Sequence, residues 1–280
     1  MNIESAINQA RELLRNKNIK SFNSDCEILM CEVIQKDRKY IILNSHHILS
    51  KKSFDQYKTL VNKRLTNIPI AYLVGKKSFW KYEFKVTTDV LIPRPESELI
   101  VEQVLNLSKY KSKLQILEIG VGSGCLLLSI LKEKKDFYGT GIDISQKSVK
   151  LSSENSFKLN LNNRLKLMKS DVDNFQNGKY DIIISNPPYI KKLDLKNLEK
   201  DVINFEPKQA LNGGIDGVSE IRKVVVKSSE LIKKNGKLIL EIAFDQKEEV
   251  KRILIKKGFY INKILKDLAK NDRCIISTKT

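Results

Sequence analysis

No apolar run in this chain approaches the roughly 18 residues a membrane-spanning helix needs, so no such span is expected. The start, Met1-Asn2-Ile3-Glu4, lacks the basic patch and apolar stretch of a secretory signal. Cysteine is sparse: Cys26, Cys31, Cys125 and Cys274 are scattered with no Cys-x-x-Cys. That spacing argues against a zinc site and a disulfide framework, and fits free thiols in a reducing cytosol. A cytoplasmic protein without a metal is therefore expected. The adjacent His46 and His47 have no acid or cysteine close in sequence and read as an exposed loop pair. Acidic residues are short too: 33 Asp+Glu stand against 51 Lys+Arg, for a net charge of +18. Such a surplus can steer a protein toward nucleic acid or an acidic partner. The lysines are spread out, however, in a chain rich in Lys, Asn and Ile together. Composition bias with a solvated surface explains that equally, so charge leaves the partner open.

What is present suffices for a folded chain. At 280 residues and 41% hydrophobic it can form one large domain or two sharing an interface. No internal repeat or low-complexity segment is evident. Residues 1–70 read as helical. Ile3, Ala6, Ile7, Ala10, Leu13 and Leu14 recur at helical spacing. Ser24-Asp25 is expected to cap a second helix carrying Ile28, Leu29 and Val33. A short apolar stretch covers 40–43, and a further helix is expected over 50–65, before Pro69. No chemical motif occurs here, which suits a recognition domain. Residues 71–91 turn aromatic and alternating, as in Ser78-Phe79-Trp80 and Tyr82-Glu83-Phe84-Lys85-Val86, and predict a β-hairpin linker. In Ile92-Pro93-Arg94-Pro95-Glu96-Ser97-Glu98, prolines restrict the backbone on either side of Arg94. That segment is either a stiff link or a preorganised wall of a site. From 114 onward strand and helix alternate. Strands are expected over 114–119, 137–142, 165–168, 180–185 and 237–242 and near Tyr260 and Cys274. Helices are expected over 125–132, 145–159, 216–232 and 246–256. The alternation implies an α/β domain over 92–280 with a mostly parallel sheet covered on both faces.

The first strand of that domain runs into Glu118-Ile119-Gly120-Val121-Gly122-Ser123-Gly124. Glycines allow a tight turn and close approach of a ligand. The helix that follows offers free N–H groups and a partial positive charge. Asp143 ends the second strand, placed to accept from both ribose hydroxyls of a nucleoside. A dinucleotide fingerprint wants Gly-x-Gly-x-x-Gly; here the third glycine comes one residue early, and Cys125 takes its place. Glu118 would sit poorly beside a pyrophosphate but can pair with the ammonium of a methionine moiety. These features favour S-adenosylmethionine as cofactor, bound by Glu118, Gly120, Val121, Gly122, Ser123, Gly124 and Asp143, with Asn186 also expected beside it. Asp171, after the third strand, can accept from the adenine amino group or cap a turn. Val172 can pack on the adenine face.

The fourth strand empties into Asn186-Pro187-Pro188-Tyr189. Ligands in open parallel sheets sit beyond the carboxyl ends of the strands, so Asn186 is expected on the same edge as Gly122 and Asp143. The Asn186 side-chain oxygen and a carbonyl of the turn, at Pro187, can hold two N–H groups of an incoming nitrogen. Pro188 stiffens the loop, and Tyr189 can pack on a planar amide or base. Asn-Pro-Pro-Tyr resembles the signature of methyltransferases acting on planar nitrogens, both adenine-N6 and glutamine-N5 enzymes. The segment from Ile92 to Glu98 resembles the Pro-Arg-Pro-Glu-Thr-Glu element of the HemK/PrmC family. Pro69-Ile70-Ala71-Tyr72 with Gly75, Phe205-Glu206-Pro207 with Ala210-Leu211, Asp216-Gly217 with Ile221-Arg222, and Asn271-Asp272-Arg273 resemble it too. Ser97 stands where that family usually has Thr, and Lys76-Lys77-Ser78 lacks an acid often seen there. Neither departure is expected to touch the chemistry.

That resemblance implies a seven-stranded Rossmann-like class I methyltransferase domain, preceded by a small helical domain and a β-hairpin linker. It implies methylation of the glutamine amide in the Gly-Gly-Gln motif of peptide-chain release factors, a step in translation termination. The release factor would be the protein partner, with no membrane and no direct nucleic-acid binding. An adenine-N6 nucleic-acid methyltransferase would share the loop but would need a basic, aromatic-laced segment to extrude and stack its base, and none is seen. A non-catalytic binding protein would have no need of both loops intact.

Overall fold

The computed structural model describes all 280 residues, which form two compact units. The first comprises Met1–Lys76 together with Glu199–Phe205. Its helices are α1 (Ile3–Asn16), α2 (Phe22–Ile34), α3 (Arg38–Leu43), α4 (Lys51–Leu65) and α5 (Ile70–Val74). Side chains of Asn2, Asp37 and Ser50 accept backbone N–H groups and start α1, α3 and α4, satisfying donors the helix cannot use itself. Ile3, Ala6, Ile7, Ala10 and Leu14 face the core, packed with Leu29, Met30, Tyr57 and Val61, whereas Leu13 lies outward. The expected cap of α2 fails. The helix begins at Phe22, and Asp25 instead lies buried inside it, accepting from Arg64 Nε at 2.7 Å. His46 is exposed as expected, though its Nδ1 does lie 3.8 Å from a Glu4 carboxylate oxygen.

The second unit comprises Lys77–Leu198 and Glu206–Thr280. It opens on the expected hairpin of β1 (Lys76–Phe79) and β2 (Tyr82–Lys85). Phe79 and Phe84 meet edge to face with centroids 6.2 Å apart. The Trp80 indole and the Tyr82 hydroxyl both donate to Glu133. There follow α6 (Glu98–Leu107), β3 (Gln115–Ile119), α7 (Cys125–Glu133), β4 (Tyr138–Asp143), α8 (Gln146–Lys158), β5 (Leu165–Lys169) and β6 (Tyr180–Ser185). The chain passes through α9 (Lys200–Phe205), which belongs to the helical unit, and returns as α10 (Ser219–Leu231), β7 (Ile232–Glu241), α11 (Lys247–Lys256), β8 (Phe259–Lys266) and β9 (Asp272–Lys279). Helix α10 starts later than expected because Asp216 is held in a turn by Val218 N–H and by Arg222.

The seven strands order as β5-β4-β3-β6-β7-β9-β8, all neighbours parallel except those made by β9. Alternate residues serve opposite faces, as strand geometry requires. Ile116, Ile182 and Ile184 pack with α6 and α7, while Leu117 and Ile183 pack with α10 and α11. Strand order reverses at the pair β3 and β6, where Ile119 stands beside Ser185. A reversal of this kind opens a crevice at the carboxyl edge.

Candidate active site

At that edge the backbone after β3 turns through Gly120, Gly122 and Gly124, with φ of +79°, +52° and +81°. Side chains rarely adopt these angles. A Cβ on Gly120 or Gly122 would meet nothing within 4 Å, so the loop leaves open space there. Gly124 differs: a Cβ would come 2.8 Å from Leu128, so this glycine allows α7 to start rather than lining the space. Asp143 fastens the loop, its two oxygens accepting from Gly122 N–H and Ser145 N–H at 2.9 Å each. Burial raises its pKa, and these two N–H groups, with the Ser148 hydroxyl, oppose the shift.

Glu118 is buried on the wall of the same cavity. One oxygen accepts from Leu127 N–H at 3.1 Å, and no cation of the protein pairs with it. Its pKa stands well above the carboxylate range, chiefly through burial; the Leu127 N–H opposes this and the charge of Asp143 adds to it. Asp171 caps a turn, accepting from Asp173 N–H at 2.9 Å, and also lines the cavity. Ser123 and Val121 line the cavity, as does Val172.

After β6, Asn186, Pro187 and Pro188 form another wall. Asn186 Nδ2 donates to Ser97 Oγ at 3.1 Å, and Ser97 Oγ donates to Glu241 at 2.5 Å. Asn186 Oδ1 and the Pro187 carbonyl accept no hydrogen bond from the protein. Tyr189, expected to pack on the substrate, stands back from this wall. It does not line the cavity; its hydroxyl donates to Glu241 at 3.2 Å, and its carbonyl accepts from Gln246 at 2.8 Å. Tyr189 thus anchors the loop. Ser97 lies beside the loop, its hydroxyl bonded directly to Asn186. Thr would supply the same hydroxyl, so the departure keeps the group that matters. Arg94 is part of the wall, as the sharper reading of its prolines had it. It pairs with the buried Glu206, which also accepts from Ile92 N–H, so two separate motifs close on each other.

The cavity encloses about 600 Å³, within the range of small-molecule sites. It brings together Glu118, Gly120, Gly122, Asp143, Asp171 and Asn186. Sequence reasoning missed Ser97, Glu241 and Gln246. Each lies far along the chain from its partner; Glu241 and Gln246 belong to no local motif, and the motif that holds Ser97 gives no sign of its partner.

A glycine turn after β3, an acid after β4 and a reversed seven-stranded sheet define the class I methyltransferase architecture. A solved methyltransferase from Pyrococcus furiosus shares the fold, with a TM-score of 0.55 at 20% identity, covering 81% of this chain and 98% of that one. The family model described as methyltransferase small domain matches residues 95–263, and that described as PrmC N-terminal domain matches 5–75. The release factor glutamine methyltransferase of Clostridium acetobutylicum is 34% identical over 282 residues, covering 100% of this chain and 99% of that one. Its counterpart in Thermodesulfovibrio yellowstonii is 34% identical, with 98% of each chain covered. The chain belongs to the release factor glutamine methyltransferase family. It is an enzyme, and its methyl donor is S-adenosylmethionine.

Proposed function

We propose that this enzyme methylates the side-chain amide nitrogen of the glutamine in the Gly-Gly-Gln motif of peptide-chain release factors. The observation that carries the reading is the pair of unused acceptors, Asn186 Oδ1 and the Pro187 carbonyl, on the wall of the cavity that also holds Glu118 and Asp143. S-adenosylmethionine supplies, when bound, an electrophilic methyl group on a sulfonium. Glu118 holds the ammonium of its methionine part, Asp143 the ribose hydroxyls, and Asp171 with Val172 the adenine. The buried, cation-free carboxylate of Glu118 fits that cofactor, because a charge in this position needs a partner. The open space at Gly120 and Gly122 fits it also.

An amide nitrogen is a poor nucleophile because its lone pair is conjugated. Asn186 and Pro187 accept its two hydrogens and aim it at the methyl group. Orientation of this kind lowers a barrier by roughly 7–11 kcal/mol. As positive character grows on nitrogen, the same two bonds strengthen, which is selective stabilisation of the transition state. The helical unit, with no ligand motif of its own, recognises the release factor. Cytoplasmic action accords with this substrate, and no helix is long and apolar enough to cross a membrane.

The test is incubation with labelled S-adenosylmethionine and either purified release factor or nucleic acid, followed by mass spectrometry of the product. Label on the motif glutamine is expected. Label on adenine, with none on the release factor, would replace this reading with the adenine-N6 one.

A further inference from the structure

Asn186 presents a problem of orientation. A side-chain amide has an oxygen acceptor and a nitrogen donor of nearly equal size, and rotation by half a turn exchanges them. Only the oxygen can receive a substrate N–H. With the nitrogen in its place, two donors would face each other. Something in the protein has to choose.

The choice is made through hydrogen-bond polarity. Glu241 is buried at the end of β7, and its carboxylate can only accept while ionised. Ser97 is buried as well, at the start of α6, and its single proton goes to Glu241 Oε2 at 2.5 Å. The lone pairs of Ser97 Oγ are then what Asn186 meets, and Asn186 Nδ2 donates to them at 3.1 Å. Asn186 Oδ1 is left without a donor from the protein, in a residue that lines the cavity. Glu241 is itself held by the Tyr189 hydroxyl at 3.2 Å, from the same loop as Asn186. Arg273 and Glu96 are the charged groups acting on it, the first favouring and the second opposing ionisation, and burial pushes its pKa up to about 6.

We infer that Ser97 and Glu241 are positioning residues, fixing the Asn186 amide so that its oxygen rather than its nitrogen faces the substrate amide. The inference rests on the acceptor role of Asn186 proposed above. Neither residue needs to touch the substrate. The hydroxyl converts the fixed polarity of a buried carboxylate into the fixed orientation of an amide some distance from it. Buried polar chains of this sort are satisfied only in one arrangement, because an unpaired member is penalised. The sequence shows no trace of this link, since Ser97 and Glu241 are 144 positions apart.

Ser97→Ala removes both bonds and lets the amide of Asn186 rotate. It is measured beside Ser97→Thr, Asn186→Ala and the double variant Ser97→Ala/Asn186→Ala. Steady-state methylation of release factor and calorimetric affinity for S-adenosylmethionine are read for each. For Ser97→Ala we expect a fall in kcat of about tenfold or more, in proportion to the loss of one buried hydrogen-bond link. Cofactor affinity should stay within about twofold, since no cofactor contact is assigned to Ser97. Ser97→Thr, which keeps a hydroxyl, should restore most of the rate. In the Asn186→Ala background, Ser97→Ala should cost nothing further, because a residue that acts only through Asn186 has nothing left to act on.

Two failures are distinguishable. If Asn186→Ala turns over normally, the acceptor role of Asn186 is wrong and this inference goes with it. If Asn186→Ala is impaired but Ser97→Ala lowers kcat equally in both backgrounds, or not at all, the acceptor role stands and the positioning chain is refuted. Calorimetric binding of cofactor by each variant shows that it has folded, so a dead but unfolded protein is not mistaken for either result.

Discussion

Glu118→Gln should move the cofactor-free protein and the cofactor complex in opposite directions. The substitution keeps the shape and leaves an oxygen to accept Leu127 N–H, at 3.1 Å in the native chain. It removes only the charge. Burial raises the pKa of Glu118 well above that of an ordinary carboxyl, so the folded, cofactor-free protein holds this proton more tightly than the unfolded chain does. Stability therefore falls as pH rises from the unfolded value, about 4.3 for Glu, up to the raised folded value, and the penalty is fully present above it. The Gln variant lacks this penalty, so its thermal midpoint without cofactor should be higher near pH 7. Cofactor binding should behave oppositely. An ammonium beside Glu118 favours the ionised form, so binding draws the pKa down and releases protons. Affinity of the native enzyme should rise with pH through this range, and the Gln variant should lose the dependence. Losing one charge-assisted contact worth about 1.5–3 kcal/mol should weaken binding by about 10- to 100-fold. Calorimetry in two buffers of different ionisation heat reads affinity and proton release together. Unchanged affinity with unchanged proton release would refute the placement of the ammonium at Glu118.

Asn186→Ala should reduce turnover by about 10²–10³-fold, as for loss of one preorganised contact, with cofactor affinity nearly kept; near-normal methylation would remove Asn186 from the mechanism. Asn186→Asp should bind cofactor as well or better, since its charge favours the sulfonium, and still turn over slowly in the same assay. Asp143→Ala should lower cofactor affinity at least about tenfold, because hydrogen bonds to a charged group contribute about 1.5–3 kcal/mol each. Since Asp143 also holds Gly122 N–H at 2.9 Å, Asp143→Asn should retain part of the loop anchoring; equal and full affinity in both variants would displace the ribose from this position. In the helical unit, Arg64→Met leaves the buried Asp25 carboxylate without its cation, with only the Ser21 hydroxyl still donating to it, and urea unfolding should show a loss of about 3–5 kcal/mol; a loss under about 1 kcal/mol would mean that the ion pair is not what holds this core.

The central strands were legible because both their faces are covered. Ile182, Ile183 and Ile184 form a continuous apolar run, and two of them face one layer of helices while the third faces the other. Helix starts were read less well. Ser24-Asp25 has the right residue types for a cap, but Asp25 is taken by a buried arginine from another helix, 39 positions away. Helix α6 escaped notice for a related reason. The residue at its start, Ser97, gives its hydroxyl to Glu241 and makes no side-chain cap. Tertiary partners had claimed the local signals in both cases.

The same distinction separates the two halves of the site. The glycine turn, Asp143 and Asn186 were readable because each is a residue type required at a strand end, and strand ends are fixed by local pattern. What holds them was not readable, because it comes from elsewhere in the chain. Arg94 finds Glu206 across 112 positions, Gln246 finds Tyr189 across 57, and Glu241 finds Ser97 across 144. Proline rings deny the Asn186 loop the N–H groups by which a backbone usually secures itself, so side chains must secure it. A loop that leaves Asn186 Oδ1 and the Pro187 carbonyl unpaired needs every other polar group around it fully engaged, or those acceptors would satisfy each other's neighbours instead. The buried bonds of Ser97, Tyr189, Gln246 and Glu241 meet that requirement, and they are why two free acceptors can stand open on the cavity wall.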